Sequence, residues 1–335
     1  MNQAIATLVE QLLQGNRRAL ARTLTIVETG DAPARAALAQ LYPYTGRAAI
    51  IGITGAPGTG KSTLVNAVAK AYRRQSKTIG VVAVDPTSPF TGGALLGDRV
   101  RMRDLAGDPG VFIRAMATRG SLGGLARATA DVILVLDAAG FDRILVETVG
   151  VGQAEVDIAS TAHTTIVVEA PGLGEEVQAI KAGVLEIADV FAVNKADREG
   201  VHRTVTALKM MLGIAPDEVR GMSHHGQLMT IDTPALPRAV AWEPPIIKTV
   251  ALQDSGITEL IDAIEGHRTF LQQSGLLGAR EQVRAANELE SIVQRRLLEM
   301  LAQRVPRSEL DTLVSQVAQR ELDPYTAADR LLALV

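Results

Sequence analysis

Short apolar runs rich in β-branched residues, most of them separated by helical stretches, dominate this chain and constrain its fold more than any other feature. Between residues 48 and 251 these runs read AAIIGIT, TIGVVAVD, VFIRAMA, RILVET, TTIVVEA, VFAVN and IIKTVA. Strands joined through helices pair in parallel, because each helix carries the chain back across the sheet. The sequence therefore predicts an α/β fold, with a doubly wound, mainly parallel sheet covered by helices on both faces.

The amino-terminal part of the chain has a different pattern. Apolar positions recur at helical spacing in the stretches IATLVEQLLQ and RALARTLTIVE, and Gly15 and Gly30 are placed where helices stop. We therefore expect an N-terminal helical extension at residues 1–43, followed by the sheet-containing domain at residues 44–277.

The carboxy-terminal part is again helical. Apolar side chains share one helix face at Val283, Ala286, Leu289, Ile292, Val293, Leu297 and Leu301. Asp323 before Pro324 is a typical N-cap for a last helix. We expect a helical arm at residues 278–335, and its apolar stripe needs a cover, either the preceding domain or a second copy of the chain.

Charge and cysteine content limit the partners and the compartment. The net charge of −3 argues against nucleic acid as a main partner. No apolar run approaches the roughly 18 residues of a membrane span, and the first residues lack the layout of a signal peptide. Cysteine is absent, which excludes disulfides and thiolate metal sites. We expect a cytoplasmic protein without a membrane partner.

The stretch GAPGTGKST follows the first apolar run and precedes a helical stretch. Glycine, four residues, then Gly-Lys-Ser is the phosphate-binding loop of P-loop nucleotide hydrolases, in which backbone N–H groups and a helix N-terminus face the phosphates. Lys61 is expected to reach the β- and γ-phosphates, and the Ser62 hydroxyl to ligate Mg²⁺. The predicted phosphate-binding residues are Gly55, Ala56, Pro57, Gly58, Thr59, Gly60, Lys61, Ser62 and Thr63.

A second motif, Asn-Lys-Ala-Asp in VNKAD, indicates which base is bound. Asp197 can accept hydrogen bonds from the guanine ring N–H and exocyclic amine, Asn194 can reach the guanine carbonyl, and the Lys195 stem can lie against the base. Adenine presents the opposite pattern and would leave the aspartate unpaired. The sequence therefore predicts GTP and GDP rather than ATP.

A third element, RILVETVGVGQ, is an apolar strand that ends in Glu147 and is followed by Gly150. Nucleotide hydrolases keep a carboxylate for the metal and a glycine near the γ-phosphate at this place. Val151 occupies the position where small GTPases have a glutamine, and valine cannot orient a water. Slow intrinsic hydrolysis that a partner accelerates is the resulting hypothesis, with Gln153 as a possible substitute.

Longer strings carry a family resemblance over nearly the whole chain, from about residue 5 to 335. They are VAVDPTSPFTGGALLGDRVRM, FIRAMATRGSLGGLA, ETVGVGQAEVD, PGLGEEVQAIKAG and RELDPYTAADRLL. The chain resembles the MeaB/ArgK (MMAA-type) P-loop GTPases. The resemblance implies a GTP-hydrolysing chaperone that gates adenosylcobalamin loading and protects a cobalamin-dependent acyl-CoA mutase, typically methylmalonyl-CoA mutase. It also implies a homodimer formed through the C-terminal arm.

The resemblance assigns further residues. Asp85 and Asp98 match a first switch around Mg²⁺, and Glu175 and Lys181 match a third switch that faces the mutase. The expected catalytic residues are Lys61, Asp98, Glu147 and Gly150, and the expected Mg²⁺ residues are Ser62, Asp85, Asp98 and Glu147. Two departures from the family pattern are Ser121, where relatives often have histidine, and a 220–241 stretch that is longer than expected.

Two other functions remain open. A metallochaperone GTPase that delivers nickel or a similar ion would carry cysteine or clustered histidine near the phosphate loop, and this chain has no cysteine. A nucleotide-dependent scaffold with negligible turnover is disfavoured by the complete set of Lys61, Ser62 and Glu147, whereas Val151 is compatible with it.

Overall fold

The protein is described here by a computed structural model that covers residues 2–85, 102–105, 107–117, 124–148, 161–172, 187–214 and 242–334. The strands within these residues are β1 Ala49–Thr54, β2 Ile79–Asp85, β3 Val111–Ala117, β4 Arg143–Glu147, β5 Thr164–Glu169, β6 Val190–Val193 and β7 Ile246–Lys248. Each lies inside one of the apolar runs of the sequence, so the predicted strands are confirmed.

Three of the α-helices of the described residues lie between strands, and the others lie before β1 or after β7. They are α1 Asn2–Leu13, α2 Arg17–Val27, α3 Ala32–Leu41, α4 Lys61–Arg74, α5 Gly124–Ala138, α6 Val201–Ile214, α7 Ile257–Gln273, α8 Leu276–Arg304, α9 Arg307–Ala318 and α10 Pro324–Leu332. The predicted stops at Gly15 and Gly30 are confirmed, because both glycines adopt positive φ just after a helix.

The strands form one sheet in the order β3-β2-β4-β1-β5-β6-β7, and every neighbouring pair is parallel. All carboxyl ends therefore meet at one edge. The strand order reverses at β1, which lies between β4 and β5. In open parallel sheets the crevice at such a reversal is the usual place for a ligand, so the loop after β1 lies at the favoured position.

Helices cover the sheet on both faces, as the run pattern predicts. One face carries α1, α2, α3 and α5, whose apolar side chains share a core with β1, β2 and β4. The other face carries α4 and α7, packed on the opposite sides of the same strands, while α6 packs on β5 and β6. The N-terminal helices therefore bury their apolar faces on the sheet.

A polar cluster fixes the start of α8 at the amino ends of β5 and β6. Asp189 accepts hydrogen bonds from both Nη atoms of Arg280, at 2.8 and 3.1 Å. Arg280 also donates to the His163 carbonyl, and Glu281 Oε1 lies 2.5 Å from His163 Nε2. Because the Ile50 N–H donates to His163 Nδ1, that nitrogen is unprotonated and Nε2–H donates to Glu281.

His267 on α7 is fully buried next to this cluster. Its Nδ1 lies 2.9 Å from Thr164 Oγ1, and its Nε2 lies 3.2 Å from Asp189 Oδ1. Trp242 and Phe270 pack against the ring. Burial lowers the pKa of His267 to about 4, although the Asp189 carboxylate acts in the opposite direction. The imidazole is therefore neutral in the folded protein at physiological pH.

Acidification is expected to destabilise the protein through His267. Between its ordinary pKa of about 6.5 and its folded value of about 4, the unfolded chain takes up a proton that the folded chain does not, so stability falls as the pH falls through this window. The loss is on the order of 2–3 kcal/mol. Urea unfolding from pH 7 to pH 4.5 measures it. His267→Phe should flatten the slope and the exposed-site control His202→Phe should not; an unchanged slope in His267→Phe would contradict the assignment.

The described residues divide into two compact units, one ending at Glu281 and the other formed by residues 282–334. The second unit contains the rest of α8 with α9 and α10. Asp323 caps α10 by accepting from the backbone N–H groups of Tyr325 and Thr326, which confirms the predicted N-cap. Large apolar side chains of this unit are exposed in the single chain, among them Leu289, Val293, Leu297, Leu298, Leu310 and Val314.

Candidate functional site

The loop between β1 and α4 turns through three glycines with positive φ: Gly55 at 136°, Gly58 at 83° and Gly60 at 93°. A Cβ on Gly55 would lie 2.1 Å from the Val168 carbonyl oxygen of β5, so no side chain fits there. The close approach to β5 and the start of α4 at Lys61 place the N-terminus of the helix at the carboxyl edge of the sheet. Such a loop is a ready-made site for anions.

Lys61 is almost fully buried at the first position of α4. Its Nζ donates to the carbonyl oxygens of Gly55, at 2.7 Å, and Ala56, at 3.1 Å. The side chain therefore folds back over its own loop and holds a positive charge beside the N-terminus of the helix. Both features favour a polyanion at this place.

Ser62 and Glu147 meet at the same edge of the sheet. The Ser62 hydroxyl donates to Glu147 Oε1 at 2.6 Å, and both residues are buried. Glu147 is the last residue of β4, which pairs with β1 so that Glu147 lies opposite Ile53. The pairing brings together two oxygen ligands that are 85 residues apart in the sequence. Hydroxyl and carboxylate oxygens are the donors that hard divalent cations prefer.

The Asn-Lys-Ala-Asp element follows β6 and is bonded directly to the loop. Asn194 Nδ2 donates to the Thr59 carbonyl at 2.9 Å, over a separation of 135 residues. Lys195, which has a φ of 57°, donates from Nζ to the Gly58 carbonyl at 2.6 Å. Asp197 follows in an exposed turn. The parallel sheet, in which only β5 separates β1 from β6, thus places the predicted base reader beside the predicted phosphate loop.

Two residues of this site were missed by the sequence analysis. The Oδ1 atom of Asn194 accepts from Thr249 Oγ1 at 3.3 Å and from the Ala251 N–H at 3.2 Å. These bonds use the amide oxygen while Nδ2 is held by Thr59, so the orientation of the Asn194 side chain is fixed. The sequence contained a signal for both residues, because they lie at the carboxyl end of the last apolar run. In a parallel sheet that end lies at the same edge as the phosphate loop.

The remaining predicted residues are only partly described. Asp85 ends β2 at the same edge of the sheet, and its side chain lies outside the description. The predicted residues and departures that lie outside the described residues are Asp98, Ser121, Gly150, Val151, Gln153, Glu175, Lys181 and the 220–241 stretch.

Comparison with known proteins identifies the family. A sequence model of the family "Methylmalonyl Co-A mutase-associated GTPase MeaB" matches residues 20–305. The chain belongs to the MeaB family of GTPases. This MeaB-family protein is therefore a GTPase, which binds guanine nucleotide and hydrolyses GTP.

Relatives and a solved structure agree with this assignment. A putative GTPase of Pyrococcus abyssi is 48% identical over 328 residues, which is 98% of this chain and 96% of the relative. GTPase ArgK of Escherichia coli is 34% identical over 99% of this chain and 97% of its own length. A crystal structure of a LAO/AO transport system kinase superposes with a TM-score of 0.71 at 27% identity, covering 98% of this chain and 96% of the other.

The contact between the base reader and the loop predicts an effect of Gly60→Ala in this MeaB-family GTPase. A Cβ at Gly60 would lie 2.5 Å from Asn194 Nδ2. The substitution should therefore displace Asn194 and weaken GDP binding by about 100-fold, since a lost buried polar contact and its misplaced partner cost a few kcal/mol. Gly58→Ala is the matched control, because Gly58 also has positive φ but a Cβ there meets nothing within 4 Å.

Displacement of a fluorescent GDP measures both variants. Equal affinities of the two would show that backbone strain, and not the contact with Asn194, sets the effect.

Proposed function

We propose that this MeaB-family GTPase is a nucleotide-switched chaperone of an adenosylcobalamin-dependent acyl-CoA mutase of the methylmalonyl-CoA mutase type. It gates loading of the cofactor and protects the mutase. The observation that carries the proposal is the match of residues 20–305 to a family described as methylmalonyl-CoA mutase-associated. The loop after β1 and the Ser62–Glu147 pair support it, because a switch needs a bound nucleotide whose γ-phosphate is removed.

In this proposal the backbone of the loop from Gly55 to Thr63 holds the phosphates. Lys61 exchanges its bonds to the loop carbonyls for bonds to the β- and γ-phosphate oxygens, and neutralises the charge that develops there. Asp197 reads the guanine ring N–H and amine. Asn194, fixed by its three bonds, supports the base reader, and the Lys195 stem lies along the base.

Magnesium is the metal that this site would take. Ser62 and Glu147 offer only oxygen donors, and their contact at 2.6 Å shows that both oxygens converge on one point, so the residues present fit a small hard cation. Ser62 would hold the ion directly, and Glu147 directly or through its water shell. Asp85 and Asp98 complete the proposed metal-binding set. When bound, Mg²⁺ withdraws charge from the phosphate oxygens.

Hydrolysis by the isolated protein should be slow. In the sequence Val151 follows Gly150, and a valine cannot orient the attacking water. We propose that the mutase supplies the contribution to GTP hydrolysis that Val151 cannot make. The mutase would contact the switch that contains Glu175 and Lys181. A partner needs to lower the barrier by only about 3 kcal/mol to accelerate turnover about 100-fold.

A GTPase assay with and without the organism's own mutase tests the proposal, using wild type and Lys181→Ala. We expect stimulation in wild type and a loss of most of it in Lys181→Ala. Linkage requires that a mutase which distinguishes the GTP and GDP forms also shifts nucleotide affinity by the same factor. A mutase that binds yet changes neither turnover nor nucleotide affinity would leave the chaperone role without a mechanism.

The proposal includes a homodimer formed through the arm at residues 278–335. It assigns residues 44–277 to the nucleotide domain and residues 1–43 to the N-terminal helical extension. The exposed apolar side chains of α8 and α9 support it, because a surface of this kind usually marks an interface. Light scattering on a chain that ends at Gly278 checks the dimer, which that truncation should abolish.

We place the protein in the cytoplasm, consistent with its lack of cysteine. No helix among the described residues has the length and hydropathy to cross a membrane.

A further inference from the structure

Glu265 on α7 joins two elements that carry the nucleotide site at their other ends. Its Oε1 accepts from the Tyr72 hydroxyl at 2.8 Å and from Arg143 Nε at 2.9 Å, and its Oε2 accepts from Arg143 Nη2 at 2.9 Å. Tyr72 lies in the last turn of α4, and Arg143 is the first residue of β4. One carboxylate therefore ties the end of the helix to the start of the strand.

The two elements run from this cluster to the Ser62–Glu147 pair. Tyr72 lies ten positions after Ser62 in the helix, which is about 15 Å at the usual rise, and the strand from Arg143 to Glu147 spans about 13 Å. The lengths match, so α4 and β4 form the two sides of a frame. The Ser62–Glu147 contact closes one end, and the Tyr72–Glu265–Arg143 cluster closes the other.

The side chains of α4 and β4 that close the frame lie on the facing sides of these two elements. Arg143, Leu145 and Glu147 share one face of β4 by strand alternation, and Leu145 lies in the core that α4 packs against. On α4, Ser62 and Tyr72 lie on that same side, together with Val65 and Val68 of the core, at helical spacing.

Burial restricts movement at the end of the frame that the Tyr72–Glu265–Arg143 cluster closes. Tyr72 is fully buried and Arg143 nearly so, with its guanidinium 5.4 Å from the centre of the Tyr72 ring. Burial, and then Glu265, raise the pKa of the Tyr72 hydroxyl, so it remains a donor. A bidentate guanidinium–carboxylate pair has one preferred geometry and resists sliding. The position of α4 along β4 is therefore set at this end.

We infer that Glu265 is a positioning residue for Ser62 and Glu147, the two proposed Mg²⁺ ligands. Glu265 fixes α4 against β4 and thereby sets the distance between these two side chains. The inference rests on the proposed role of these two residues as Mg²⁺ ligands. It predicts that loss of the Glu265 carboxylate weakens the binding of Mg²⁺ to the nucleotide complex, whereas the affinity for nucleotide without Mg²⁺ changes little.

The test measures release of fluorescent GDP from the full-length protein over a series of MgCl₂ concentrations. Glu265→Gln removes the charge and keeps the shape, and should raise the MgCl₂ concentration for half-maximal slowing of release about tenfold, a typical effect of residues that support metal ligands. Tyr72→Phe removes one of the three bonds and should give a smaller shift in the same direction. Because it removes only a hydroxyl, Tyr72→Phe decides the matter if Glu265→Gln fails to fold.

Glu28→Gln is the matched control. Glu28 also pairs with an arginine, Arg114, at 2.6 Å in a half-buried setting, but that pair joins the C-cap of α2 to β3 and lies outside the frame. Its loss should lower the melting temperature without moving the Mg²⁺ midpoint, which separates positioning from general stability.

Ser62→Ala distinguishes the inference from the proposal on which it rests. If Ser62→Ala raises the Mg²⁺ midpoint and folded Glu265→Gln and Tyr72→Phe do not, the positioning role is wrong and the metal site stands. If Ser62→Ala leaves the midpoint unchanged, the metal site itself is wrong, and the inference is wrong with it.

Discussion

Lys61→Ala should lower the rate of GTP hydrolysis about 1,000-fold, the upper end of the range for loss of one preorganised donor to a developing negative charge. Lys61 is buried at the start of α4, and its Nζ is held by the carbonyls of Gly55 and Ala56 at the centre of the phosphate loop. Alanine is the best helix former, so α4 should persist.

Lys70→Ala is the control for this prediction. Lys70 lies on the same helix and pairs with Asp104 at the surface, so its removal takes away a positive charge without touching the loop. Single-turnover hydrolysis of GTP measures both variants, and circular dichroism checks that the helices remain. If Lys61→Ala hydrolysed GTP near the wild-type rate, the loop after β1 would not be the catalytic site.

Asp197→Asn should change which base the protein binds. The carboxylate can accept from both the ring N–H and the exocyclic amine of guanine, whereas an asparagine offers one acceptor and one donor group. The donor group faces the guanine amine unfavourably but matches the carbonyl of xanthine at that position. We expect GDP affinity to fall by at least about 100-fold, because sites built to hydrogen-bond a substrate reject mismatched analogues strongly.

Calorimetry with GDP and with xanthosine diphosphate measures this change, and xanthosine diphosphate should become the tighter ligand. Glu199→Gln is the control, since Glu199 is an exposed carboxylate two residues further along the same turn. Wild-type protein that bound ATP and GTP equally well would contradict the guanine assignment from the start.

The features that the sequence predicted correctly are all local. The strands appear as short β-branched runs because a strand buried on both faces needs apolar side chains at nearly every position. The turn between β1 and α4 appears as a glycine pattern because Gly55, Gly58 and Gly60 must adopt positive φ. Asn194 and Asp197 appear as a tetrapeptide because they lie in consecutive residues directly after β6.

The strand order is decided only by the tertiary structure. No local pattern states that β4 pairs with β1, and that pairing alone brings Glu147 to Ser62. In the same way, the pairing of β7 with β6 brings Thr249 and Ala251 to Asn194. Contacts over such separations depend on how whole faces pack, and sequence spacing carries no record of them.

The polar clusters at the amino ends of the strands show the same limit. In the sequence Arg143 is only the first residue of an apolar strand and Glu265 only a charge on a helix, yet they form a bidentate pair beside Tyr72. Asp189 and Arg280 are likewise unremarkable until β6 and α8 meet. The sequence by itself determined the strands and the glycine loop after β1, because each is written in consecutive residues; the base reader stays a prediction. Only the fold decided which charges pair, because a buried charge is stable only where another element supplies its partner.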